Sequence, residues 1–250
     1  MDVKLRTYLA ELFGTFLVVL VGAGVVCSAS LPDNDPFATV GGVTLGVALA
    51  EGAALAIAVT ATSYLSLGCC NPAITLTLFV ARKLELRQTL GLVAAQLAGS
   101  FLAGLVLRGL YADDVLAEAR LGAPYLKAAL APGGVPTLAA LAAGVALEAL
   151  FTLVVTTAAF ATLIDRRAPR LGGLGLGLAQ AAVVVFGFRL TGAAANPALW
   201  FGPAVWQLSL SLPADARPLG DHVVYWLGPV LGALAAGVFY ATVVLPPEKE

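Results

Sequence analysis

The triplet Asn-Pro-Ala occurs twice, as Asn71-Pro72-Ala73 and Asn196-Pro197-Ala198, and both copies lie between long apolar runs. Asn is a strong helix N-cap because its side-chain oxygen accepts a free backbone N–H of the first turn. Pro fits the first helical position, where its missing N–H is not needed. Each triplet therefore predicts a helix start. The apolar stretches that follow, Ile74 to Val80 and Leu199 to Trp206, are too short to cross a hydrocarbon core, which takes about 20 residues. They predict half-helices. A helix that begins inside a bilayer leaves irregular backbone upstream, tolerated only where protein buries it or a water-filled cavity hydrates it. Two such starts imply a wet cavity within a membrane; the alternative is that Asn and Pro make only two capped, buried turns.

Composition agrees on separate grounds. A chain of 250 residues that is 60% hydrophobic and 12% charged, with mean hydropathy +0.92, is no ordinary soluble domain. The net charge of -1 offers no basic excess for nucleic acid. Cys27, Cys69 and Cys70 show neither a metal-ligand spacing nor a disulfide framework, so they are expected as free thiols, with no metal or cofactor.

Six apolar spans can be read: Tyr8 to Ser30, Thr39 to Ala61, Gln88 to Leu110, Pro136 to Leu163, Gly172 to Leu190 and His222 to Leu245. The half-helices fall after the second and fifth. That divides one domain, 1–250, into a repeat over about 1–115 and another over about 136–250, joined by a polar, Gly/Pro-containing loop at about 111–135. Three spans separate equivalent points, so the second repeat enters from the opposite side. The result is an inverted repeat whose half-helices can meet near the midplane.

Lys and Arg set the direction. With a cytoplasmic N-terminus, the inner segments carry Lys4, Arg6, Arg82, Lys83, Arg87, Arg166, Arg167, Arg170 and Lys249, and the outer ones Arg108, Arg120, Lys127, Arg189 and Arg217. The inner excess predicts both termini in the cytoplasm. A rival reading takes Lys4, Arg6, the first apolar run and Ser28-Ala29-Ser30 as a cleaved leader. Glu11 inside the run, and the run's length, argue for a retained span.

These residues resemble the aquaporins, also called the major intrinsic proteins. Cys69-Cys70-Asn71-Pro72-Ala73-Ile74-Thr75-Leu76 is similar to the family's first signature loop. Thr191-Gly192-Ala193-Ala194-Ala195-Asn196-Pro197-Ala198, with Phe201-Gly202-Pro203-Ala204-Val205, is similar to the second. Glu11 to Phe16, Ala95 to Gly99, Glu148 to Thr152 and Tyr225 to Pro229 match helix signatures, so the likeness covers the whole chain. It implies an all-α integral membrane fold of six transmembrane helices plus two half-helices, a homotetramer among membrane lipids, a cell membrane, and passage of water or small neutral solutes.

The residue types suit that task. An Asn whose oxygen caps its own half-helix keeps amide N–H groups to donate to a passing oxygen, and two positive helix ends at one point exclude protons and cations. By resemblance, the carbonyls of Gly68, Cys69, Cys70, Ala193, Ala194 and Ala195 supply acceptors along the channel. Carboxyl groups inside spans are costly and need a reason. Glu11 and Glu148 occupy corresponding places in spans one and four; the resemblance gives them the task of bracing the signature loops. Glu51 has no such twin. Counting from the motifs, Glu51, Val184, Ala193 and Leu199 fall where the family forms its outer constriction. Here the chain departs from its relatives: Leu199 takes the place usually held by Arg, and Cys69 that of a common His. Three readings of Glu51 are open: a hydrogen-bonded interface residue, a pore carboxyl, or the partner of Arg189, Arg108, Arg120 or Lys127.

His222, Cys69 and Cys70 read as packing or interfacial residues, Asp33, Asp35, Asp113, Asp114 and Glu118 as solvated loop charges, and Pro246 to Glu250 as a short tail. The favoured function is a passive channel for water, glycerol, urea or ammonia. Alternatives are an ammonium- or cation-permeable channel using Glu51, a coupled secondary transporter, and a membrane enzyme or junction protein, for which no Ser/His or paired-Asp site is evident.

Overall fold

A computed structural model describes residues 3–31, 40–165, 167, 169, 171–212 and 216–245. Arg166, Arg170, Lys249, Asp33, Asp35 and the tail lie outside the described residues. The first repeat comprises α1 (Val3–Ala29), α2 (Val40–Thr62), the half-helix α3 (Pro72–Val80) and α4 (Leu86–Leu110). A short helix α5 (Asp113–Glu118) stands in the connecting segment. The second repeat follows with α6 (Leu138–Ala159), α7 (Leu174–Gly187), the half-helix α8 (Pro197–Trp206) and α9 (His222–Phe239). Both α6 and α9 run on into a wider π-type turn, Phe160–Ile164 and Tyr240–Val244.

Five of these helices are long and apolar enough to cross a membrane, and α7, at 14 residues, is a shorter apolar one. The span expected over Gly172 to Leu190 is thus trimmed at both ends. Its last residues instead form a turn, with Leu190 and Thr191 N–H donating to the Gly187 carbonyl.

Sequence explains where the half-helices begin. Asn71 and Asn196 adopt extended backbone (φ -150° and -158°), and each side-chain oxygen accepts the N–H two residues on, from Ala73 and Ala198, at 2.9 Å. Pro72 and Pro197 occupy the first helical position.

The inverted repeat is visible in matching contacts. Helix α1 packs on α4 as α6 packs on α9. Small residues make both crossings close: a Cβ on Gly99 would collide with the Leu12 carbonyl, and one on Gly232 with that of Ala149. The repeats join where α2 crosses α7. There a Cβ on Gly52 would meet the Gly177 carbonyl and the Ala181 methyl, and one on Gly177 the Gly52 carbonyl and the Ala56 methyl. The contact is reciprocal, so the pseudo-twofold axis passes through it. It pairs positions on α2 and α7 that share one sequence offset, and the same offset relates Asn71 to Asn196. The half-helices cross over: α3 packs on α9 and α8 on α4.

The connecting segment keeps Asp113, Asp114 and Glu118 exposed, as expected, and buries Leu116, Leu121, Ala123 and Leu126 against the bundle. Lys127 N–H donates to the Leu190 carbonyl and Leu126 N–H to Asp221.

Candidate functional site

The two signature loops lie in the core, and each wraps around one carboxyl group. Glu11 Oε1 accepts from Ser66 Oγ (2.8 Å) and Cys69 N (3.0 Å); its Oε2 accepts from Cys70 N (2.8 Å) and Gln96 Nε2 (2.8 Å). Glu148 Oε1 accepts from Thr191 Oγ1 (2.6 Å) and Ala194 N (3.1 Å), and its Oε2 from Ala195 N (2.7 Å). Ser66 Oγ takes Gly68 N–H, as Thr191 Oγ1 takes Ala193 N–H. Tyr225 hydroxyl closes the second loop by donating to the Thr191 carbonyl at 2.5 Å.

Those bonds hold a backbone that would otherwise relax. Cys70 (φ 46°), Ala193 (φ 53°) and Ala195 (φ 47°) are left-handed without being glycine, and Gly68 (φ 61°) matches Ala193. A left-handed L-residue costs roughly 1–2 kcal/mol. Each loop stores this strain because its N–H groups must turn inward to reach a buried acceptor.

At the loop junction the two motifs clasp one another. Asn71 Nδ2 donates to the Ala195 carbonyl and Asn196 Nδ2 to the Cys70 carbonyl, both at 2.9 Å. One amide hydrogen of each Asn is thereby engaged, leaving one. Beside them lies a cavity of about 10 Å³, lined by Val18, Leu55, Cys69, Asn71, Ile74, Val155, Leu176, Gln180, Asn196 and Leu199. That is room for about one water.

The four residues counted to the outer constriction are all buried. Glu51 and Leu199 flank Gly22, whose Cβ would stand 3.3 Å from Glu51 Cγ and 3.5 Å from a Leu199 methyl. Ala193 is tied to Glu51 through a residue the sequence reading did not single out. Gln180 Nε2 donates to Glu51 Oε2 (2.9 Å) and to the Ala193 carbonyl (3.3 Å). Val184 follows Gln180 by one turn of α7. Leu199 reaches the central cavity; Glu51, Val184 and Ala193 are not among its lining.

Three of the four cations considered as partners for Glu51 are engaged elsewhere, and Arg189 is exposed whereas Glu51 is buried. Arg108 pairs with Asp113 at 2.8 Å. Arg120 and Lys127 lie over the Tyr125 ring, 3.8 and 3.5 Å from its centroid. Burial, and then the nearby Arg120 charge, push the Lys127 ammonium down to a pKa of about 7. His222 caps no site and contacts the Leu219 carbonyl through Nδ1. The three cysteines are buried free thiols, and the described residues hold no cluster able to ligate a metal ion.

By the motif offset Gln180 corresponds to Leu55, and Glu51 to Leu176.

The chain matches the model of the major intrinsic proteins over residues 2–240. It is 38% identical over 239 residues to the aquaporin TIP4-4 of Zea mays, covering 94% of this chain and 85% of that protein. It is 35% identical over 247 residues to the lens fiber major intrinsic protein of Gallus gallus, covering 98% and 84%. An aquaglyceroporin from Plasmodium falciparum superimposes with TM-score 0.74 over 97% of this chain and 98% of that one; at 18% identity this is a likeness of fold alone. With its half-helices, clasped Asn-Pro-Ala loops and membrane-length spans, the chain belongs to the major intrinsic protein family, whose members are membrane channels rather than enzymes.

Proposed function

We propose that this protein is a passive channel through which water and small neutral solutes such as glycerol, urea and ammonia cross a cell membrane. The supporting observation is the meeting of two helix N-termini at a water-sized cavity, with one spare amide hydrogen on each of Asn71 and Asn196. A passing oxygen is offered two donors. A passing cation meets two partial positive charges of about +0.5 each. On this reading Glu11 and Glu148 are structural braces, Gly68, Cys69 and Ala194 line the path with carbonyls, and Glu51, Val184, Ala193 and Leu199 form the outer constriction. The Cys70 and Ala195 carbonyls face the same path with one lone pair occupied by the Asn clasp. The subunits assemble as a homotetramer of single-domain chains, each with its own pore and both termini in the cytoplasm.

The outer constriction has lost a cation and gained a carboxyl, so strict water selectivity is not expected. A second reading, an ammonium- or cation-permeable channel, is favoured by Glu51 alone, because among the described residues its hydrogen-bond partner is an amide and not a cation. Stopped-flow swelling of proteoliposomes with water, glycerol, urea and ammonia, run beside ion conductance, separates the two. Neutral flux without current supports the channel proposed here; current carried in proportion to Glu51 ionisation supports the second. Absence of any flux above empty liposomes refutes both. Leu199→Arg is expected to restrict the larger solutes while sparing water.

A further inference from the structure

The pseudo-twofold axis provides a built-in control for every residue around the cavity. Its reciprocal Gly52 and Gly177 contact fixes which positions are mates. Val18 and Val155 correspond through the offset that relates Glu11 to Glu148, and Ile74 and Leu199 through the offset that relates the two motifs. Val184 corresponds to Val59, both buried. Nearly every pair is apolar on both sides or matched in kind. Two neighbouring pairs break the pattern: Glu51 against Leu176, and Gln180 against Leu55. Both polar members lie on the same side of the axis and are hydrogen-bonded to one another at 2.9 Å.

We infer that Glu51 and Gln180 form one polar rung on one side of the pore, and that Gln180 is a specificity-determining residue favouring solutes that donate more hydrogen bonds than they accept. This deepens the channel reading and rests on it. Both hydrogens of the Gln180 amide nitrogen are directed at Glu51 and the Ala193 carbonyl. What Gln180 presents to the cavity it lines is therefore an acceptor, its amide oxygen. The same bonds hold the Glu51 carboxyl in place and occupy the Ala193 carbonyl. In either protonation form of Glu51, acceptors outnumber donors at this rung, and Leu199 contributes none of the donors an Arg would bring. A polyol or water molecule passing here finds partners for its hydrogens and few for its lone pairs. Urea, with four N–H groups and one carbonyl, and ammonia, with three N–H groups and one lone pair, fit better. The rung of Leu55 and Leu176, related to it by the pseudo-twofold axis, is apolar and makes no such distinction.

The test measures permeability ratios, urea to glycerol and ammonia to water, in proteoliposomes of the full chain. Gln180→Leu gives the position its mate's residue, and Gln180→Met is a second, unbranched apolar variant should the first insert poorly. Both are expected to lower the urea-to-glycerol ratio about tenfold, the effect of one buried hydrogen bond. Leu55→Gln, which builds a second amide on the opposite rung, is expected to raise it. A role in packing alone would scale all permeabilities together by changing the number of open pores. Unchanged ratios in Gln180→Leu or Gln180→Met, with the parent conducting, overturn this inference and leave the channel reading standing. A parent that conducts nothing overturns the channel reading itself.

Discussion

Replacing Glu11 and Glu148 by Gln should separate two braces that look alike but hold different loops. Each oxygen of Glu11 accepts two donors, Ser66 Oγ with Cys69 N and Cys70 N with Gln96 Nε2. A Gln amide puts an NH₂ where one oxygen stood, so one backbone donor, Cys69 N or Cys70 N, loses its acceptor; Ser66 Oγ can turn its hydrogen to the Thr62 carbonyl and accept instead, and Gln96 can turn its partnerless Oε1 to the new NH₂. Glu148 Oε2 serves Ala195 N alone. A Gln there can turn its nitrogen to that side and likewise orphan one donor. At about 1–3 kcal/mol for a buried donor left unsatisfied, each substitution costs about 1–3 kcal/mol, but in a different loop. The chain carries its own reporter. Cys69 and Cys70 are buried thiols in the loop that Glu11 holds, whereas the corresponding residues of the other loop are Ala194 and Ala195. In a Cys27→Ala background, a fluorogenic maleimide reacts only when the first loop opens. The lower bound of the Glu11→Gln cost corresponds to a labelling rate about fivefold faster, at 1.36 kcal/mol per decade. Glu148→Gln should leave that rate at the parental value while lowering the unfolding midpoint. A monodisperse, folded Glu11→Gln protein that labels at the parental rate would refute the reasoning.

Asn71→Asp or Asn196→Asp places a carboxylate where two helix ends total about one positive charge. Cancelling that at roughly 4 Å and an effective dielectric of 20 removes about 4 kcal/mol of cation repulsion, so cation conductance should rise by two to three decades; planar-bilayer currents indistinguishable from the parent would contradict it. Lys127 supplies a pH signature. Its folded pKa, about 7, lies below the unfolded value of about 10.4, so between these the unfolded chain binds more protons and stability rises with pH. The parent should melt higher at pH 9 than at pH 6.5, and Lys127→Met should flatten that difference.

The sequence revealed the half-helices because Asn-Pro declares a helix start through local chemistry, independent of any neighbour. The braces were legible for a related reason, a costly carboxyl recurring at matching places in two apolar spans. Gln180 was not, since an amide in a run such as Leu174 to Gly187 is unremarkable until the crossing of α2 and α7 sets it against Glu51. In the connecting segment the solvated acidic residues were legible and the buried side chains were not. Leu116, Leu121 and Leu126 recur every five residues, a spacing that matches neither a helix face nor a strand face. Which cation serves Glu51 was likewise undecidable by counting, and the answer was an uncharged partner.

The exchange of half-helices between repeats bears on how the ribosome must deliver this chain. Half-helix α3 rests on α9, the last span to be synthesised, and a Cβ on Gly237 of that span would strike Thr77 of α3. Until α9 leaves the translocon, the first loop has its carboxyl brace and the support of α4, but its half-helix lacks its more extensive wall. Ribosome-stalled chains ending after α8 should therefore hold α1, α2 and α4 in the bilayer with Cys69 and Cys70 still open to reagents, and protection should appear only once α9 is released. The packing thus predicts that the periphery of this protein forms during synthesis and that its centre closes last.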